Sequence, residues 1–140
     1  MSPPTTTVPL PADPTPNMPL LRKVLDHIDA HPDEWYQSFW AIRGDLAVDR
    51  GVTSDCGTAY CIAGHAVMIT GHGVDWAWAG GGGLESTVLC TDGQTIPDVA
   101  RAELGLTRDE AEWLFQENND RAGVQRAAEA IAARAGEAVS

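Results

Sequence analysis

The sequence predicts a mainly α fold: about five helices around one core, with a small β-hairpin insertion near residues 74–91. Three observations carry this. Apolar residues recur at helical spacing behind recognisable N-caps, both before residue 31 and after residue 96. The pattern switches to alternation at Val74-Asp75-Trp76-Ala77-Trp78 and again becomes strand-like at Thr87-Val88-Leu89-Cys90-Thr91. A glycine run, Gly80 to Gly83, separates those two segments. The length of 140 residues fits one domain.

Residues 1–17 hold six of the nine prolines and read as a flexible, polyproline-leaning tail, leaving 18–136 as the domain and 137–140 as a frayed end. Asn17 can cap a first helix whose first turn contains Pro19. Leu21, Val24, Leu25 and Ile28 form its apolar stripe, and His31-Pro32 ends it. Pro32, Asp33 and Glu34 suit the start of a second helix, with Trp35, Phe39 and Ile42 at i, i+4 and i+7 and a stop at Gly44. Thr58 is a candidate N-cap for a helix from Ala59 to about Thr70, closed by Gly71-His72-Gly73. Pro97 opens a helix that Gly105 caps. Thr107-Arg108-Asp109-Glu110 has the form of a capping box, and Leu106 can staple its entry. Ala111, Leu114 and Phe115 face inward there. Asn118 or Asn119 can cap the last helix, which carries Val124, Ala127, Ala128, Ile131 and Ala132 and frays at Gly136.

The formal net charge is −11. That balance disfavours ordinary nucleic-acid binding and docking on anionic membranes, and it suits a basic protein partner or mimicry of nucleic acid. No apolar run approaches the ~20 residues that span a bilayer. The first residues lack the basic and apolar regions of a secretory signal. Three cysteines, an odd number, close no disulfide framework. A reducing cytoplasm is therefore the expected location.

The densest chemistry lies in Cys56-Gly57-Thr58-Ala59-Tyr60-Cys61-Ile62-Ala63-Gly64-His65-Ala66. As a metal site, Cys61 and His65 share a helix face, Cys56 precedes them at C-x4-C spacing, and Cys90 or His72 would complete a zinc tetrad. As a catalytic site, Cys61 would sit in a first turn that lowers its pKa, with His65 as base. An i, i+4 partner gives poor attack geometry, and no orienting residue stands out. The third reading is packing: buried Cys behaves as a small hydrophobe, and Gly64, which costs roughly 1 kcal/mol of helix stability against Ala, admits a close neighbour. Packing accounts for the most residues, so no catalytic, cofactor or metal site is favoured. His27 and His31 read as exposed residues at a helix end. The four glycines lack the Gly-Lys-Ser/Thr of a phosphate loop. Trp35 and Trp76 read as core, and Trp40 and Trp78 as interface candidates.

The same cysteine segment, followed by Ile96-Pro97-Asp98-Val99-Ala100-Arg101-Ala102-Glu103-Leu104-Gly105-Leu106-Thr107 and by Glu112-Trp113-Leu114-Phe115, resembles a group of small, uncharacterised proteins of actinobacterial phages and their hosts. Those proteins carry a Cys-Gly-Thr-x-x-Cys-Ile-Ala-Gly segment upstream of a Leu-Gly-Leu-Thr helical hairpin that ends in Leu-Phe. The likeness covers residues 18–117. It implies origin and architecture rather than an activity, and members often carry a bulky aromatic at the position of His65. The expectation is a small acidic accessory protein that is not an enzyme. It would act in the host cytoplasm by binding a host or phage protein. The alternatives are a zinc-stabilised domain using Cys56, Cys61, His65 and Cys90, and a Cys-dependent hydrolase or transferase.

Overall fold

The computed structural model describes residues 14–37, 40–44, 58–78 and 83–139. Among them are five α-helices: α1 Met18–Ala30, α2 Ile62–Ile69, α3 Ile96–Leu104, α4 Arg108–Leu114 and α5 Arg121–Ala135. Strands β1 Ala41–Gly44, β2 Thr58–Tyr60, β3 Val74–Trp78 and β4 Gly83–Cys90 form one antiparallel sheet in the order β2-β1-β4-β3. The α-rich fold and the β3–β4 hairpin are as the sequence predicts. No helix among the described residues is long and apolar enough to cross a membrane.

Asn17 begins α1 and finishes α3. Its side-chain oxygen accepts the N–H of Leu20 at 3.2 Å. Its own N–H and its amide donate to the carbonyls of Leu104 (2.8 Å) and Glu103 (3.0 Å), satisfying acceptors that the last turn of a helix leaves open. Gly105 closes α3 in the left-handed region, φ 67°, where a side chain would also run into the Thr15 carbonyl. Arg134 donates to the carbonyls of Pro14 and Gly105 while both its terminal and inner nitrogens grip Glu110 at 2.7 Å. Residues 14–17, the end of the expected tail, are thus held on the helices; residues 1–13 lie outside the described residues.

The second helix expected from Pro32 to Gly44 does not form. Pro32–Glu34 makes a single 3-10 turn, and Trp35 is already extended (φ −109°, ψ 121°). Ala41–Gly44 is a strand, paired to β2 on one side (Ile42 opposite Ala59) and to β4 on the other (Ile42 opposite Glu85). Phe39, part of the apparent stripe, lies outside the described residues. Thr58 belongs to β2, so it does not cap the next helix. Cys61 takes that place, its Sγ accepting the N–H of Gly64 at 3.4 Å, and α2 starts at Ile62. In the hairpin, β4 carries two more residues than β3 between the pairs Val74–Cys90 and Trp76–Ser86, a bulge.

Helix α2 is buried from Ile62 through Val67. A helix apolar on every side belongs at the centre of a core. Around it pack Met18, Leu21, Val24 and Ile28 of α1 and Ile96, Ala100 and Leu104 of α3, while Val124, Ala128 and Ile131 of α5 join the same core from the side of α1 and α4. Thr107 and Glu110 make the capping box of α4. The expected Asn cap of α5 is corrected: Asp120 accepts the N–H of Gly123 at 2.7 Å, while Asn119 donates backward to the carbonyls of Trp113 and Leu114. Gly136 ends α5 at φ 72°. Beyond it, Arg22 holds Glu137, Ala138 and Val139 against α1, so this end is tied down through residue 139.

Gln37 joins α2 to the end of α4. It is 9% exposed. Its oxygen accepts the N–H groups of Ile62 (3.2 Å) and of the Trp35 ring (2.9 Å). Its amide donates to the carbonyls of Leu114 (3.0 Å) and Gln116 (2.9 Å). One side chain therefore satisfies the start of α2 and the end of α4.

Candidate functional site

Within the cysteine segment, Cys61 through Ala66 are buried. Cys61 is 1% exposed, and burial pushes its thiol up to about 12. Its sulfur faces the Gly64 N–H, whereas the buried His65 donates Nε2–H to the Glu34 carbonyl at 2.8 Å. Burial pulls the His65 imidazole down to about 4. The two side chains are thus committed to different neighbours. Cys90 ends β4, also buried, with its thiol raised by burial and by Asp92. His72 faces Asp92 with Nδ1 (3.8 Å) and Glu103 with Nε2 (3.9 Å). Cys61, His65 and Cys90 do not converge on one point, because the one such group among the described residues is His31, Asp33 and Glu34. Cys56 lies outside the described residues.

A buried thiol with so high a pKa is a poor nucleophile. Native protein treated with a thiol reagent at pH 7.5 is expected to show the same number of reactive thiols in wild type and Cys61→Ser. The two should differ by one only in denaturant. A fast-reacting thiol that disappears with Cys61→Ser in the folded protein would contradict this burial.

A cleft lies elsewhere, where Trp40 meets the α3–α4 hairpin. It encloses about 340 Å³. Arg108, Ala111, Glu112 and Phe115 line it from one face of α4, at i, i+3, i+4 and i+7; Pro97, Asp98 and Arg101 line it from the first two turns of α3. Trp40 and Phe115 are partly buried hydrophobics packed on the core. Arg101 is anchored by its Nε–H to the Leu106 carbonyl at 3.2 Å. The floor is apolar and aromatic, and two arginines and two carboxylates surround it. Gly64 packs against the main chain of Trp40, one of the lining residues. Its Cα passes so close to the Trp40 carbonyl that a Cβ there would lie 3.1 Å from the carbonyl carbon and 3.1 Å from the Tyr60 Cβ.

Of the two interface candidates, Trp40 lines the cleft. Trp78 ends β3 opposite Leu84, and its side chain lies outside the described residues. Trp113, by contrast, is 40% exposed on α4. Sequence reading missed Arg101, Arg108 and Phe115 as a set, although the i to i+7 spacing on α4 carries the signal. It also placed His27 in solvent, whereas about a third of its side chain is exposed and its Nε2 faces Glu34 at 3.1 Å.

No protein-family model, curated protein or solved structure matches this chain.

Proposed function

We propose that this protein acts by protein–protein interaction, as a small acidic accessory protein that modulates a host process. The cleft between Trp40 and the α3–α4 hairpin is its docking site. One observation carries the reading: an aromatic, partly desolvated floor rimmed by charge is the form that hot-spot pockets take. The occupant we infer is a short segment of a basic protein. A large apolar side chain of that segment seats against Trp40 and Phe115, and its lysines or arginines meet Asp98 and Glu112. The net charge of −11 steers a basic partner inward and penalises an acidic one. The phage-like resemblance of the cysteine segment and the α3–α4 hairpin supports the accessory role.

Selection from a displayed-peptide library should enrich peptides with one large apolar residue flanked by Lys or Arg. Trp40→Ala should weaken their binding about 30-fold or more, the ~2 kcal/mol of a hot-spot aromatic. Glu112→Lys should weaken it further, and Arg108→Glu should tighten it. Enrichment of acidic peptides, or peptides indifferent to Trp40→Ala, would refute the reading.

A further inference from the structure

The end of α1 carries a second constellation that the cleft does not use. His27 and His31 stand one helical turn apart, their ring centroids 4.8 Å from each other. Pro32 turns the chain into the 3-10 segment, which brings Asp33 and Glu34 back beside them. Ligand atoms of His31, Asp33 and Glu34 all lie within 4.8 Å of one another. His27 Nε2 is 3.1 Å from one oxygen of Glu34, and His31 Nδ1 is 3.7 Å from the other.

The two shortest of these separations, 3.1 and 3.7 Å, bracket that between two ligands of one metal ion. Two ligands on one tetrahedral zinc, each about 2.0–2.1 Å from the ion, stand roughly 3.3 Å apart. We propose that His27, His31, Asp33 and Glu34 form a zinc-binding site. The donor set, two imidazoles and two carboxylates, is one that borderline-soft zinc accepts. The negative end of the α1 dipole lies at the same place and favours a cation. Glu34 is also held from behind. The buried His65 donates Nε2–H to its carbonyl at 2.8 Å, and the His65 ring lies 5.1 Å from that of His27. That bond fixes the Glu34 main chain, and with it the position from which the carboxylate reaches the histidines. The side chains of His27, His31 and Glu34 are 34%, 53% and 28% exposed, so an ion reaches them from solvent without unfolding. The site shares no ligand with the expected Cys56, Cys61, His65 and Cys90 tetrad.

The test is calorimetric titration of the full chain, stripped with chelator, with zinc chloride at pH 7.5, alongside thermal melting. One zinc per chain should bind and raise the melting temperature. His27→Ala and His31→Ala should each weaken binding about tenfold or more, at least the loss that an outer support alone carries. Asp33→Asn should weaken it as well. His72→Ala and Cys90→Ser should leave it unchanged. Circular dichroism of the metal-free variants separates lost ligation from lost folding, and His27→Gln serves if His27→Ala unfolds. Absence of saturable zinc binding overturns the proposal. So does binding that survives both histidine substitutions, or that disappears with Cys90→Ser or His72→Ala.

Discussion

Gly64→Ala is expected to destabilise the fold by about 3 kcal/mol, even though the same change in a helix interior ordinarily stabilises by roughly 1 kcal/mol. The added methyl meets main chain, which has no rotamer to escape into. The Trp40 carbonyl carbon and the Tyr60 Cβ would each lie 3.1 Å from it, with the carbonyl oxygen closer still. Overpacking of this kind costs about 1–3 kcal/mol, and more where backbone must move. The same carbonyl accepts the Cys61 N–H at 3.4 Å. Ala41, which opens β1 opposite Tyr60, is the next residue along. Relief of the clash therefore strains the start of α2 and the β1–β2 pairing together. Urea unfolding should show a lower midpoint at an unchanged slope, with Gly64→Val lower again. Because Trp40 must shift, peptide binding at the cleft should weaken even in the folded fraction. If Gly64→Ala were as stable as wild type, Trp40 would not approach α2 as described, and the floor of the cleft would need a different account.

The legible parts of this fold are the ones whose determinants lie within a few residues of each other. Asn17 followed by Pro19, Pro97 with Gly105, and Thr107 with Glu110 each define a helix end through contacts at most a few positions apart, and each is where the sequence places it. The β3–β4 hairpin was legible for the same reason, since alternation and glycine lie close in the chain. Strands β1 and β2 were not. At four and three residues they are too short to display a period of two, and what makes them strands is pairing across many positions, as Ile42 with Ala59. Trp35, Phe39 and Ile42 happen to match a helical stripe, but Gln37 needs the extended path to reach Ile62, Leu114 and Gln116 at once. The candidate sites follow the same division. The packing role of Gly64 could be read from its cost in a helix. The cleft could not, because Trp40, α3 and α4 meet only in three dimensions. The histidine cluster was half visible: His27 and His31 have helical i, i+4 spacing, while the return of Glu34 depends on a single 3-10 turn in place of a helix.

His65 should give the metal-free protein a steep acid dependence that begins above the carboxylate range. Its imidazole ordinarily titrates near 6.5; burial first, and the nearby His27 in smaller part, lower it to about 4, against the opposing pull of the Glu34 carbonyl and carboxylate. The Tyr60 ring, 5.3 Å away, completes the surroundings without adding charge. Between these two values the unfolded chain binds a proton that the folded chain refuses, so stability rises with pH there and falls as the solution is acidified. The contribution is fully present above pH 6.5 and is spent by about pH 4, a loss of roughly 3 kcal/mol. Asp29, lowered chiefly by its hydrogen bond from Arg121, and Glu110, where desolvation is the largest single effect and raises it but Arg134 and Thr107 together outweigh it, act in a lower window that meets the His65 one only at its acid end. Their folded values are depressed, so their stabilisation is present above the ordinary 3.8 and 4.5 and is lost only as pH falls below those values. His65→Gln keeps an N–H donor for the Glu34 carbonyl and has nothing to titrate. Its denaturation midpoint in chelator should be nearly flat from pH 6.5 to 4.5, while that of wild type falls steadily. Parallel profiles for the two proteins over that interval would mean that His65 takes up a proton without leaving the core, and the burial that lowers its pKa would be ruled out.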